Sequence, residues 1–426
     1  MGYIKEPMEC GNALYMTDRH YVWPMITLER KDTGRRLFVV LCAEGEAVTG
    51  PCGELGGEAM QLYLSRLLLI VTRTALRVTG VLFWVLVYFA ALLAAVSYLP
   101  DALRLLTRGP LSAFCWGPRQ AAPPCLTNNV HGQHGYIRIK DSGIRFHYVA
   151  SGDKRNPLML LLHGFPENWY SWRYQLDEFS NAYRTVAIDL RGFGGSDAPS
   201  RLEDYKMEIL LQDLKELIRG LGYSCCVLVG HDWGGTLAWT FAVRHRDMVT
   251  HLIVMNAPHP SAFHDYVLSH PSQLFSSRYV FLFQLPIIPE ILLSLRDFEH
   301  IRKPMTDATL GIQNVECKLS NEEIESYVYY PSQKGALTPP LNYYRNLFGF
   351  FPLKAQDVLV PTLLLWGEHD AFLEAAMVPE MQQYVHAPFR AEIIANASHW
   401  LQQDRPQEVN RIIRDFLNED FLLHRN

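Results

Sequence analysis

The chain carries no excess of positive charge. Its 39 Lys and Arg against 44 Asp and Glu leave a net charge of −5, which gives no reason to expect nucleic acid as a partner. No group of Cys and His has metal-ligand spacing, and no glycine-rich loop has the pattern that cradles a phosphate. The run Gly192-Phe193-Gly194-Gly195 directly follows Asp189-Leu190-Arg191 and reads as a structural turn. No metal and no organic cofactor is therefore expected. The eight cysteines suggest no disulfide framework: Cys225 and Cys226 are adjacent on an expected core strand, and only Cys115 and Cys125 are placed for a pairing that an oxidising compartment would permit. Met1-Gly2 lacks the Ser or Thr at position six that myristoylation needs, so no lipid anchor is expected.

Charge is also missing locally. Val78 to Leu99 contains no charged residue and is apolar enough, over 22 positions, to cross a hydrocarbon core of about 30 Å as a helix. Basic flanks and several aromatic positions favour a membrane span over a buried core helix. Arg66, Arg73 and Arg77 precede it while Arg104 and Arg108 follow, a slight bias toward a cytosolic N-terminus. The expectation is an uncleaved single-pass, type II anchor in the endoplasmic reticulum membrane. Residues 1–59 show no periodicity and are expected to be a poorly ordered extension. The anchor segment is placed at 60–104, and a Gly-Pro-rich linker at 105–129.

What the remaining sequence holds is chemistry at strand ends. Cys225 to Val229 reads as a short buried strand, Thr236 to Ala242 as a helix, and between them stands Gly230-His231-Asp232-Trp233-Gly234-Gly235. This has the shape of a nucleophile elbow, with aspartate where an acyl hydrolase carries serine. The other reading of an aspartate in such a turn is a helix cap. Upstream, Leu158 to Leu162 is a buried strand running into His163-Gly164-Phe165-Pro166-Glu167, and a cis bond is plausible at Phe165-Pro166. Downstream, Thr362 to Leu365 leads to Asp370, and Ile393-Ile394 leads to Ser398-His399-Trp400. Nucleophile, acid and histidine thus follow in the order Asp232, Asp370, His399 expected of an α/β-hydrolase fold, with oxyanion N–H donors at Phe165 and Trp233.

The segment from about Gly135 to Leu417 resembles the epoxide hydrolase family of α/β-hydrolases, in particular its membrane-anchored vertebrate branch. The stretches that carry the likeness are His163 to Trp169, Asp189-Leu190-Arg191-Gly192-Phe193-Gly194, His231 to Gly235, Leu341-Asn342-Tyr343-Tyr344-Arg345-Asn346 and Ser398-His399-Trp400. The resemblance implies a mostly parallel sheet with helices on both faces, core halves at 130–258 and 351–426, and a helical cap inserted at 259–350. It also implies two cap tyrosines, Tyr279 and Tyr344, as proton donors to an epoxide oxygen, although among 21 tyrosines ordinary packing is the commoner fate. The implied reaction converts an apolar epoxide and water to a vicinal diol through an ester on Asp232. Cap residues such as Phe263, Tyr266, Phe275, Phe281 and Phe283 suggest an apolar tunnel suited to lipid-like epoxides. Two other readings stand beside it: a haloalkane dehalogenase-like hydrolase, in which Trp233 would hold a halide, and a catalytically silent membrane-anchored scaffold. Oligomeric state is not legible.

Overall fold

The computed structural model describes residues 55–107, 114, 116–349 and 357–423, together with four short strand segments between residues 15 and 39. The chain divides into two compact units, Met1–Val78 and Thr79–Asn426. In the first, Tyr15–Asp18 pairs antiparallel with Tyr21–Pro24, and Ile26–Glu29 with Arg36–Val39. The sequence offered no periodicity here; four-residue strands are too short for an alternation to register. Helix α1, Leu55–Thr107, contains the uncharged run and extends well beyond it at both ends. Its stretch Ser65–Pro100 is long and apolar enough to cross a membrane. Cys115 lies outside the described residues, and Cys125 is a buried free thiol.

The second unit is built on eight strands: β1 (Gln133–Arg138), β2 (Arg145–Ser151), β3 (Leu158–Leu162), β4 (Arg184–Ile188), β5 (Cys226–His231), β6 (Val249–Met255), β7 (Thr362–Gly367) and β8 (Phe389–Ile394). Their order across the sheet is β8-β7-β6-β5-β3-β4-β2-β1. The β1–β2 and β2–β4 pairings are antiparallel and the rest are parallel. Parallel strands need crossovers that cover both faces, so both faces must be apolar, and β3 is buried at all five positions. Its side chains alternate: Leu158, Leu160 and Leu162 join one core cluster, while Met159 and Leu161 join the other.

The first cluster is closed by α3 (Met207–Gly220) and α4 (Trp233–Arg244), the second by α2 (Arg173–Phe179) and α11 (Pro406–Leu423). Between β6 and β7 the chain leaves the sheet and forms the cap helices α5 (Pro260–Ser269), α6 (Pro271–Ser276), α7 (Arg278–Leu282), α8 (Ile288–Thr306), α9 (Asn321–Tyr329) and α10 (Thr338–Leu347). Helix α8 breaks at Leu295–Phe298, where Arg296, Asp297 and Phe298 take positive φ. Arg119 and Arg302 both pair with Asp297 and Glu325 around that break.

Register decides where function can sit. Leu162 pairs with Gly230, His231 with Met255, Met255 with Leu365 and Gly367 with Ile394. The carboxyl ends of β3, β5, β6, β7 and β8 therefore finish level. The loops leaving them converge in one crevice, the position expected for ligand in an open parallel sheet.

Candidate active site

Asp232 sits between β5 and α4 with φ 50° and ψ −119°, a backbone conformation that a non-glycine residue adopts only when its surroundings impose it. The neighbours show how. A Cβ on Gly234 would strike the Leu162 carbonyl, and one on Gly164 would strike the Asp232 side chain. Small residues at these two positions let the β3 loop and the elbow approach until the Phe165 N–H donates to Asp232 Oδ1 at 2.8 Å. The Phe165-Pro166 peptide bond is cis, as the sequence suggested. Trp233 is the first residue of α4, so its N–H is among those without an acceptor inside the helix.

The other carboxylate oxygen, Asp232 Oδ2, lies 3.6 Å from His399 Nε2. On the far side of that ring, Nδ1–H donates to Asp370 Oδ2 at 2.8 Å. Asp370 accepts in addition from Asn256 Nδ2 at 2.7 Å and, on Oδ1, from the N–H groups of Phe372 and Leu373. The acid is held from several directions, and the imidazole has one orientation. Burial alone would push the Asp232 carboxyl up, but the His399 hydrogen bond and charge, with Phe165 N–H, hold it below its ordinary value. Burial would likewise lower His399; the charge of Asp370 and the hydrogen bond to Asp232 outweigh it and push the imidazole up to about 10. Both shifts favour an ion pair between Asp232 and His399 in the free site.

Beneath this triad lies a second buried array that sequence reasoning left unassigned. His231 Nδ1 is 2.8 Å from Glu167 Oε2, and its Nε2 donates to the His399 carbonyl at 2.8 Å. Glu167 also accepts from Gly164 N–H, Gln402 Nε2 and Gln403 Nε2. One carboxylate therefore ties the oxyanion loop, the elbow and the histidine loop together. Burial works against the Glu167 charge, and neighbouring His231 keeps its carboxyl below the usual range nonetheless. The available signal was two polar residues inside otherwise apolar motifs. Asn256 gave a similar one, as an amide directly after the buried strand β6.

The cap brings its two tyrosines to the same place. Tyr279 on α7 and Tyr344 on α10 have ring centroids 6.0 Å apart. Tyr344 meets Trp233 edge-on at 5.0 Å, Phe165 at 5.5 Å and Phe283 at 4.9 Å. Tyr279 meets Phe372, which also lies 5.0 Å from the His399 ring. Burial, and then the negative charge of Asp232, push both phenols well above their ordinary value, so both carry their proton. A hydrogen bond from Trp233 acts the other way on Tyr344 without offsetting this. Buried Gln273 of the cap bonds Phe372 O and Glu374 N–H, locking the cap to the loop that follows Asp370.

All seven residues expected from the sequence, Asp232, Asp370, His399, Tyr279, Tyr344, Phe165 and Trp233, gather in this crevice. The wider set of cap aromatics does not. Phe275 is exposed, Phe281 packs at a tilt on Phe348, Phe263 packs into the main core, and Tyr266 donates to Glu374. Of that group Phe283 packs at the site, against Phe165, Tyr279 and Tyr344, because the apolar side of a short cap helix is divided between the site and the cap's own core. A cavity of about 250 Å³ lies behind the oxyanion loop, touching Phe165 and Pro166, Phe193 and Leu337, and none of the triad or the two tyrosines. Among the described residues no group of His, Cys, Asp and Glu has the arrangement of a metal site.

Residues 157–284 match the family model described as alpha/beta hydrolase fold. The chain is 92% identical over 367 residues to epoxide hydrolase 3 of Xenopus tropicalis, covering 86% of this chain and 100% of that protein. It is 49% identical over 357 residues to epoxide hydrolase 4 of Homo sapiens, covering 84% and 99%. The solved structure of Bacillus megaterium epoxide hydrolase in complex with an inhibitor aligns with a TM-score of 0.61 at 35% identity, over 67% of this chain and 100% of that one. Another structure of that bacterial enzyme, a mutant, holds its product, a naphthyloxy-propane-1,2-diol. The chain is an enzyme of the epoxide hydrolase family, built on the α/β-hydrolase fold.

Proposed function

We propose that this enzyme opens an apolar epoxide in two steps through an ester on Asp232. The observation that carries the reading is the division of labour between the two carboxylate oxygens. Oδ1 is taken by the Phe165 N–H, which leaves Oδ2, beside His399, as the attacking atom. Oδ2 bonds to an epoxide carbon, the carbon–oxygen bond of the ring breaks, and the departing alkoxide takes a proton from Tyr279 or Tyr344. A neutral phenol suits this role, since it donates without bringing a charge that Asp232 would trap.

The second step follows from what the first removes. Ester formation neutralises Asp232, and with it two of the influences that keep His399 protonated; only Asp370 remains. The imidazolium is then free to release its proton to the tyrosinate side through solvent and to act as base. His399 Nε2 takes a proton from water, the hydroxide attacks the Asp232 carbonyl carbon, and the N–H groups of Phe165 and Trp233 stabilise the oxyanion. Collapse expels the diol oxygen, which is reprotonated by His399.

We further propose that α1 anchors the enzyme in a membrane as a single pass. The three arginines before the uncharged run, against two after it, support a cytosolic N-terminus and a catalytic unit in the lumen of the endoplasmic reticulum. Lipid-derived epoxides are the substrate class that an anchored enzyme with an aromatic-lined site would meet. The reading is tested by incubating purified wild type and Asp232→Ala with a panel of aryl and long-chain epoxides and with haloalkanes. The expected result is diol formation by wild type alone and no halide release. Halide release without diol would shift the assignment to the dehalogenase class, and inactivity on both would favour a scaffold.

A further inference from the structure

One stripe of the uncharged part of α1 is buried. Val87, Ala91 and Ala94 are buried, and Ala95 and Tyr98 are partly so, packed on the main core cluster. Their spacing of three or four residues is that of one helix face. The opposite face, with Leu86, Phe89, Leu93 and Val96, is exposed.

What this stripe touches connects it to catalysis. Near its start, Phe83 meets Phe348 at 6.1 Å; Phe348 directly follows α10, the helix that carries Tyr344, and packs at a tilt on Phe281 of α7. Near its end, the ring of Tyr98 lies under the guanidinium of Arg278, the residue before Tyr279. The two cap helices that present the proton-donating phenols are thus the ones on which the anchor rests. Phe83 and Tyr98 are fifteen residues apart, about 22 Å of helix, against a hydrocarbon core of about 30 Å. A helix that crosses the bilayer along this stretch carries the cap with it.

The cap surface on either side of α7 has the matching chemistry. Arg278 covers Phe275 as well as Tyr98, and Phe275, 64% exposed, stands beside exposed Leu274. Just beyond α7, Ile287 is 68% exposed and holds a φ of 69°, a costly conformation for a β-branched residue, with Ile288 and Ile291 exposed after it. Such side chains projecting into water would be unfavourable, whereas acyl chains would solvate them. The Tyr98–Arg278 stack, where α1 approaches Pro100 and Asp101, places an amphipathic pair at the expected headgroup level.

We propose that the cap is itself immersed in the bilayer beside the anchor, with Leu274, Phe275, Ile287, Ile288 and Ile291 against lipid, so that epoxides reach Tyr279 and Tyr344 from the hydrocarbon. This rests on the epoxide and anchor readings above and adds to them the route and the surface. The test uses the full chain in phosphatidylcholine nanodiscs containing a lipid with a diazirine on its acyl chain. After photolysis, labelled peptides should include 274–275 and 287–291 as well as the exposed face of α1. Labels confined to α1 would overturn the proposal. In parallel, a Phe275→Ser/Ile287→Ser variant should lose roughly tenfold in turnover of 1,2-epoxyoctadecane held in the disc, while its turnover of water-soluble styrene oxide stays within about twofold of wild type. Equal loss on both substrates, or no loss on either, would contradict it. Wild type inert toward both epoxides with cap labelling intact would count against the epoxide reading and not against the bilayer contact.

Discussion

The core half of the site and the cap half are held by different forces. In the core, Asp232, His399 and Asp370 sit on loops fixed by strand register and are tied by hydrogen bonds to charged groups, with Glu167 and His231 beneath them. In the cap, Tyr279 and Tyr344 are placed by edge-to-face rings, Trp233, Phe165, Phe283 and Phe372. Charges that must stay a fixed distance apart need directional bonds on a rigid sheet. Neutral proton donors need only a dry wall, and aromatic packing supplies it.

This contrast can be broken from the core side with the largest effect. Asp232→Ala should lower diol formation by about 10⁴-fold or more at unchanged fold, as measured by steady-state assay and circular dichroism, because no second nucleophile stands at that position. Next comes the cap. Tyr279→Phe or Tyr344→Phe alone should cost about 10-fold and the double variant about 10³-fold or more, well beyond the product of the two, since either phenol can substitute in part for the other. Near-additive losses in logarithmic terms would show instead that the two have separate tasks.

The core array was the part most legible in sequence. Buried strands that stop at a polar residue give both the fold and the candidate: Leu158 to Leu162 was read with its observed bounds, and Asp232, Asp370 and His399 each follow such a strand. The partners of those residues were not legible, because Glu167 to His231 and Asn256 to Asp370 are contacts across 64 and 114 positions that only the sheet order creates. Cap aromatics were harder still. A short helix with apolar residues on most sides gives no period to say which face meets the site, so Phe275 and Phe283 look alike in sequence and end up in opposite environments.

The same contrast extends to stability. Glu167→Gln leaves His231 and two glutamine amides without a buried charge partner and should destabilise by about 3 kcal/mol or more, read as a lowered thermal midpoint. Tyr279→Phe should shift that midpoint little, despite its larger kinetic effect. A smaller, pH-dependent effect comes from His399. Its pKa is raised from 6.5 to about 10, so the stability it contributes is complete below pH 6.5 and is lost as pH rises through about 10. Asp232, held below its ordinary 3.8, contributes above that value and loses its contribution as pH falls further. The thermal midpoint should therefore decline from neutral pH toward 10, and His399→Gln should flatten the decline.

The central claim is that the oxygen added to the substrate comes from Asp232. Single turnover of an epoxide by excess enzyme in oxygen-18 water should give a diol free of the heavy isotope and a peptide around Asp232 carrying one oxygen-18 by mass spectrometry. Heavy oxygen in the diol on the first turnover, with an unlabelled Asp232, would contradict the ester and show that water attacks the epoxide directly.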